Sequence, residues 1–379
     1  MKTNAEFDVA IIGAGAAGLQ LLYEYVQSSS LDPIRILLVD SGDRAEKSWC
    51  FWQGAAPIFP GLIEKKWDQL AFIDAQGIER KSAIDPLHYH YISSERFYRY
   101  FFEEFIPANP SIQVVQGYAK EVKVSDDGRF EIMMADGESY VANQLADSRN
   151  NPKVGEHEPG LYQHFYGKFI RTDSPVFDGQ VAMLMDFSLA QTESHFTCFH
   201  YLLPFSETYA LLETTVFSTR GYELEKYQEI WETYWDSKYG AQVYQLDKEE
   251  MGTISMSIFT SPLEQNGIKS IGTAAGQVKA STGYAFTRMN QDAKNIVGNK
   301  SRRKPSRFRF YDRMLLSIIR SDTAKIPMVM SRLFAAVPMP QILTFLDEKS
   351  NLFQEVQIFC KLPIGLFLKH AWKHFISVK

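Results

Sequence analysis

Three groups of residues in this 379-residue chain have types and spacings that could do chemistry. The first is a pair of carboxyls in apolar surroundings. Glu213 lies in Tyr209-Ala-Leu-Leu-Glu213-Thr-Thr-Val-Phe217, which reads as a strand of period two. One face carries Tyr209, Leu211, Glu213, Thr215 and Phe217, and the other Ala210, Leu212, Thr214 and Val216. Glu is depleted from strands. If that face is buried, desolvation raises the carboxyl's pKa and makes it a proton donor at neutral pH. A Glu at a sheet edge, or one paired with a buried Arg, would give the same pattern. Asp186 interrupts a second apolar run, Met183-Leu-Met-Asp186-Phe187, and is read as a second catalytic acid. An Asp that fixes a turn is the plainer alternative.

The second group is Gly13-Ala-Gly15-Ala-Ala-Gly18. A glycine pattern of this kind is weak alone. Here an apolar strand precedes it, a helix-like stretch follows it, and Asp40 closes the next apolar strand. Gly13 permits the tight turn, Gly15 admits a pyrophosphate to the backbone, and Gly18 lets helix and strand pack closely. The helix N-terminus offers free N–H groups to phosphate, and Asp40 would accept a hydrogen bond from a ribose hydroxyl. This unit does not separate FAD from NAD. Its N-terminal position favours FAD. So does the small-residue run Gly272-Thr273-Ala-Ala-Gly276, whose backbone could reach a ribityl chain or isoalloxazine ring. An ordinary helix cap would look the same.

The third group is aromatic. Trp49-Cys50-Phe51-Trp52 follows the second strand. Trp49, Phe51 and Trp52, with Tyr209 and Phe217, are candidates to line an apolar substrate channel or to face a cation through their rings. His88 and His90 lack a third ligand at useful spacing, so no metal site is expected. No G-x-S-x-G is present, and Cys50 lacks a diagnostic partner.

The elements that must position these groups follow from periodicity. The fold class is α/β, with a Rossmann-like FAD-binding domain, an antiparallel-sheet substrate domain and a C-terminal helical region. Residues 1–60 form the first FAD-binding segment, and 61–160 a mixed segment returning to that domain. Within it, 92–105 reads as a helix with an aromatic face and 111–145 as a β-meander. The polar stretch from Asp147 to Gly160 is a boundary. Residues 161–265 form the antiparallel sheet, 266–300 close the FAD domain, and 301–379 are helices punctuated by proline after a basic hinge at 301–304.

Forty basic against forty-five acidic residues leave no positive excess to bind nucleic acid. Three distant cysteines exclude a disulfide scaffold and fit a reducing compartment. No signal peptide is visible, and the most apolar long run, 326–346, holds Arg332 and three prolines. A cytoplasmic protein is expected, peripheral on the inner face of a membrane. Leu362 to Val378, with Trp372 and Phe375 between Lys369 and Lys373, reads as an interfacial amphipathic helix. A helix docked on the protein's own core is the alternative.

Taken together, the chain resembles the flavin-dependent lycopene cyclases, in particular the bacterial lycopene beta-cyclases. The likeness runs from Asp8 to about residue 350. It rests on Gly13 to Gly18 with Asp40, Lys47-Ser-Trp49-Cys50-Phe51-Trp52, Gln163-His164-Phe165 before Gly167, and Leu184-Met-Asp186-Phe187. Leu203-Pro204-Phe205-Ser206 with Leu211-Leu212-Glu213-Thr214-Thr215, and Ile271-Gly272 to Gly276 with Ser281-Thr282-Gly283-Tyr284, complete it. The resemblance implies a flavoprotein related to aromatic hydroxylases and geranylgeranyl reductases. It implies cyclisation of the linear ψ-ends of lycopene to β-ionone rings without net redox change, needing reduced FAD and NAD(P)H as electron donor. Glu213 falls on the family's catalytic acid and Asp40 on its ribose-binding acid. Thr214 stands where relatives often carry a second acid. Leu145-Ala146 replaces an aromatic pair before Asp147-Ser148-Arg149, and Ala275 and Gln277 replace a glycine and a bulky residue. A flavin monooxygenase or polyprenyl reductase on the same fold, and a non-catalytic flavin- or carotenoid-binding protein, are the rival readings.

Overall fold

The computed structural model describes residues 6–28, 33–44, 46–149, 160–189, 196–240, 242–258, 262–302 and 306–377. The expected break at Asp32 lies outside these residues, as do most of the 147–160 boundary and part of the 301–304 hinge. So do the side chains beyond Trp372.

The chain opens with β1 (Glu6–Ile12), α1 (Ala16–Ser28) and β2 (Ile36–Asp40). β2 is buried throughout, which is why it reads as an unbroken apolar run. β3 (Ser48–Gln53), β4 (Lys65–Trp67), β5 (Gln69–Ile73), β6 (Glu79–Ala83) and β7 (His88–Ser93) follow. Ser93 then caps α2 (Ser94–Arg99), its hydroxyl accepting from the Arg96 amide. The expected 92–105 helix is real but changes pitch, continuing as a π-helical stretch over Tyr100–Phe105. Phe97, Phe101 and Phe105 stay on its buried side.

β8 (Ile112–Gln116), β9 (Ala119–Val124), β10 (Phe130–Met134) and β11 (Ser139–Asp147) occupy the expected meander. Only β9, β10 and β11 behave as one; β8 pairs in parallel with β2. β11 pairs in parallel with β1, and further on with β18 (Ile268–Ser270), which is antiparallel to the short β17 (Glu264–Gln265). The resulting sheet carries parallel strands in the order β18-β11-β1-β2-β8.

The second sheet collects β12 (Tyr162–Thr172), β13 (Val181–Asp186), β14 (Phe196–Pro204), β15 (Tyr209–Ser218) and β16 (Tyr244–Ser255). Its order is β16-β12-β15-β14-β13-β5-β6, and it is antiparallel except where β13 meets β5. The stretch 61–160 thus contributes β5 and β6 to this sheet as well as strands to the first. A helix unforeseen in the sequence reading, α3 (Leu224–Tyr239), packs on one face. Tyr227, Ile230, Trp231, Tyr234 and Trp235 are buried there with Ala210, Leu212 and Val216. The Trp231 indole donates to the Leu212 carbonyl at 2.9 Å.

The opposite face carries Leu211, Glu213 and Phe217. It is covered by α5 (Ser306–Ser321), α6 (Ile326–Ala336), α7 (Met339–Leu346), α8 (Leu352–Lys361) and α9 (Ile364–Ser377). α4 (Phe286–Val297) instead packs against α1. Each large side chain buried in these interfaces contributes on the order of 2 kcal/mol. A small sheet, β3-β7-β4, sits between the two halves. Lys279 joins them further. Its ammonium is 3.0 Å from Asp312 of α5 and 3.1 Å from Glu348, which also meets Arg288 at 2.8 Å.

Candidate active site

Three of the predicted cofactor features converge at the C-terminal ends of the parallel strands, where open α/β sheets bind their ligands. β1 ends at the Gly13 turn, β2 at Asp40, and β18 leads into the Gly272–Ala275 turn, with the end of β11 at Asp147 beside them. The glycines there are not equivalent. Gly13 has φ +101°, and a Cβ on it would stand 2.0 Å from the Ser148 hydroxyl. A Cβ on Gly18 would stand 1.9 Å from the Gly13 carbonyl oxygen. A Cβ on Gly15 would meet nothing within 4 Å. Gly13 and Gly18 therefore close the turn against the sheet, while Gly15 leaves open space at the N-terminus of α1. Gly272 (φ +63°) brings its turn against Ala17, and Gly276 (φ +64°) ends it. Thr273 is exposed between them. Asp40 is buried and bonded to the Arg44 guanidinium and the Gly42 amide. A ribose would share Asp40 with Arg44, which lies 3.7 Å above the Phe102 ring. The donors and the open backbone fit a dinucleotide.

Glu213 lies in the interior strand β15, between β12 and β14. Its register partners are Gly167 and Tyr201. Its carboxylate accepts a hydrogen bond from the Thr215 hydroxyl at 2.6 Å. The side chain keeps some accessible surface. Enough protein surrounds it, however, that burial, aided by the charge of Glu250, pushes its pKa from 4.5 up to about 8. The Thr215 bond opposes that rise. The group is thus a neutral acid at pH 7.

Beside it lies a cluster of phenols. Tyr89 bonds Tyr201 at 2.8 Å and Tyr284 at 2.7 Å. The Cys50 thiol is hydrogen-bonded to Tyr201 and Tyr89, and burial pushes it up to about 12. Burial likewise holds Tyr89, Tyr201 and Tyr284 well above their usual range. Trp52 stands 4.6 Å from Tyr284, edge to face, and bonds the Leu343 carbonyl at 3.1 Å. It also lines a surface cleft of about 200 Å³ with Gly54, Leu87 and Thr344. Glu213 does not reach that cleft. On the Tyr201 side the wall of the acid is therefore aromatic and neutral, which favours a neutral carboxyl and a nearby carbocation alike.

A family model described as lycopene cyclase protein matches residues 8–370. The chain belongs to the lycopene cyclase family. A lycopene beta-cyclase from Pseudescherichia vulneris is 24% identical, the match covering 97% of this chain and 98% of the relative. Among solved structures, a geranylgeranyl bacteriochlorophyll reductase-like protein from Thermoplasma acidophilum aligns with a TM-score of 0.63 at 10% identity. That match covers 96% of this chain and 98% of the other. A flavin-dependent halogenase from Brevundimonas sp. BAL3 aligns with a TM-score of 0.59 at 11% identity, over 96% and 90%. These likenesses establish a Rossmann-like FAD-binding fold.

In this lycopene cyclase family member the remaining predicted residues do not all gather at Glu213. β3 alternates, and Trp49 and Phe51 point away from the acid. Both stack on Phe286 of α4, at 5.3 Å and 5.2 Å, inside the core of the FAD-binding half. Of β3, Trp52 and Cys50 share the apolar cluster of Glu213's neighbours, which also holds Phe217 and Tyr209. Asp186 is fully buried near α3, held by the Tyr234 hydroxyl at 2.8 Å, the Ser188 amide at 2.7 Å and Lys238 at 3.0 Å. Its register partner His200 stacks on Tyr234, and Tyr234 packs on the Leu212 face. The structure therefore separates the two carboxyls read as an acid pair: β15's alternation puts Glu213 on one face, and Asp186's partners lie on the other. Phe217 sits on the Glu213 face, 5.4 Å from Phe199. Tyr209 sits at the strand's beginning, its hydroxyl bonded to Asp247 at 2.7 Å. The sequence reading missed Tyr89, Tyr201 and Glu250, which come from three different strands.

Proposed function

We propose that this chain is a lycopene beta-cyclase, cyclising the linear ψ-ends of lycopene or a related linear carotenoid to β-ionone rings, with Glu213 as the acid. One observation carries the reading: a carboxyl on an interior strand, set beside a cluster of buried phenols, where burial raises its pKa. Protonation of a terminal C=C forms a C–H bond and leaves a tertiary carbocation. The neighbouring double bond attacks it, and loss of a proton from the ring restores neutrality, so the sum is an isomerisation. Glu213 supplies the first proton, oriented by Thr215. The rings of Trp52, Tyr89, Tyr201 and Tyr284 face the developing charge and exclude water that would quench it.

Gly13, Gly15, Gly18, Asp40, Gly272, Thr273 and Gly276 would hold FAD. When bound and reduced, with NAD(P)H as electron donor, FAD would supply negative charge that favours a developing cation. The substrate is a hydrocarbon that must come from a bilayer. Leu352, Phe353 and Val356 on α8 and Ile364, Leu368 and Trp372 on α9 are all at least half exposed. These two adjacent apolar faces suit a peripheral contact with the inner face of a membrane from the cytoplasm. No helix among the described residues is long and apolar enough to cross one.

The test is expression in a lycopene-accumulating bacterial host followed by pigment extraction. Conversion of red linear pigment to orange-yellow cyclic carotenoid by the wild type, and its loss in Glu213→Gln with flavin still bound, is expected. Retained cyclisation in that variant would remove Glu213 as the acid. Accumulation of hydroxylated or reduced products would replace the reaction class.

A further inference from the structure

The row of side chains level with Glu213 contains a gap. Gly167 of β12 is paired with Glu213 of β15 on one side and Glu250 of β16 on the other. Residues in register across adjacent strands point to the same face, so Glu213 and Glu250 share one. With any other residue at 167 a side chain would stand between them. A Cβ at Gly167 would lie 2.9 Å from the Leu211 Cδ1, which leans over the glycine, 3.5 Å from Glu213 Cβ and 3.4 Å from Glu250 Cγ, so the last two atoms are no more than about 7 Å apart.

Glu250 looks like part of an exposed charged stretch, Lys248-Glu249-Glu250, but alternation divides it. The Glu249 carboxylate accepts from Tyr166 at 2.5 Å on the α3 side, while Glu250 faces inward and accepts from the Ser48 hydroxyl of β3. Burial pushes Glu250 up to about 7, opposed by Lys248 and Ser48 and aided by Glu46. Lys248 and Glu46 form an outer ion pair at 3.8 Å, with Glu46 largely exposed. The other titratable groups facing the two carboxyls are Cys50, Tyr91, Tyr201 and Tyr284, all neutral at physiological pH. Glu213 and Glu250 are therefore the groups of this row that titrate near neutrality.

We propose that Glu250 is a positioning residue for the acid: across the gap left by Gly167, its charge holds the proton on Glu213 and so sets the pH range in which Glu213 can donate it. The proposal rests on Glu213 acting as the acid in the reaction proposed above. It also gives Gly167 a role, since a Cβ there would stand 2.9 Å from the Leu211 Cδ1 and force the side chains of this row apart.

The experiment is an infrared titration of the purified chain without substrate, followed at the C=O stretch of protonated carboxyls. The Glu213 band is assigned by its loss in Glu213→Gln. In Glu250→Gln the Glu213 midpoint should fall by about one pH unit, the order expected for like charges on the order of 7 Å apart, a separation in keeping with their stems, at an effective dielectric between about 20 and 80. Glu250→Asp keeps the charge on a shorter stem and should restore at least half of that displacement. Neutralising Glu250 should also move the basic limb of the cyclase pH profile down by the same amount, with roughly five-fold lower rate at pH ~8 and little change at pH ~6. A Glu213 midpoint that is unmoved in Glu250→Gln, or that moves equally in Glu250→Gln and Glu250→Asp, would overturn the proposal. Wild-type protein without cyclase activity, in which the infrared displacement still occurs, would refute the reaction and uphold the coupling.

Discussion

Keeping Glu213 neutral has a cost that stability measurements can read without any substrate. Its pKa is about 8 in the folded chain against 4.5 when solvated. A carboxyl whose folded pKa is raised contributes its full stability below the unfolded value. That contribution is lost as pH rises through the window between the two, here from about 4.5 to about 8. A displacement of ~3.5 units corresponds to at most about 5 kcal/mol, which solvent screening of a side chain with some accessible surface reduces to about 3 kcal/mol. Glu213→Gln removes the titration and keeps the size and a hydrogen-bonding end for Thr215. The variant should therefore match or fall slightly below wild type near pH 5 and exceed it near pH 9. At ~2 °C per kcal/mol for a chain of this size, the melting-temperature difference should grow by about 6 °C between those limits. Differential scanning fluorimetry over that range measures it. A difference that stays constant would mean that Glu213 is already ionised in the folded protein, and the acid role would have no basis.

The glycine fingerprint separates folding from binding. Gly18→Ala places a methyl against the Gly13 carbonyl and should lower both thermal stability and flavin content. Gly15→Ala meets open space, so it should fold normally and lose flavin absorbance on purification. Asp186→Asn breaks the pair between the buried Asp186 and the half-buried Lys238 and should lower stability by about 1–2 kcal/mol while leaving the cyclase pH profile unchanged. A displaced profile would return Asp186 to the chemistry. Leu368→Ser with Trp372→Ser should weaken co-sedimentation with anionic liposomes at least ten-fold without changing the melting temperature, because both side chains are exposed.

How much of this was readable from the sequence depends on the range of each interaction. The dinucleotide unit was readable because its parts are local: a strand, a turn with glycine at required places, a helix and an acid at the next strand's end. Glu213 was readable because alternation placed it on the same face as Leu211 and Phe217, and both are core residues. The same period of two divides Trp49 and Phe51 from Cys50 and Trp52, so Trp49-Cys50-Phe51-Trp52 is not one aromatic patch but serves two cores. α3 carried its own signal: Tyr227, Ile230, Trp231, Tyr234 and Trp235 recur at helical spacing inside a region read as strands. Asp186 interrupts an apolar run just as Glu213 does. What distinguishes them is Lys238, fifty-two residues away, which is close only after α3 folds onto the sheet.

Strand register is the level at which the local reading ended. No spacing within Lys248-Glu249-Glu250 marks one of its acids as facing the interior opposite Glu213. That relation passes through Gly167, more than eighty residues earlier, and exists only because β12 pairs with β15 and β16 at once. The three phenols also come from separate elements, β7, β14 and the loop after the Gly272 turn, and meet in one hydrogen-bonded group. Each alone is an ordinary buried tyrosine. Together they flank the carboxyl with groups that stay neutral near pH 7, leaving Glu250, among the described residues, as the charge on that face that tunes it. The acid's strength is therefore a property of the sheet's pairing rather than of the segment that carries Glu213.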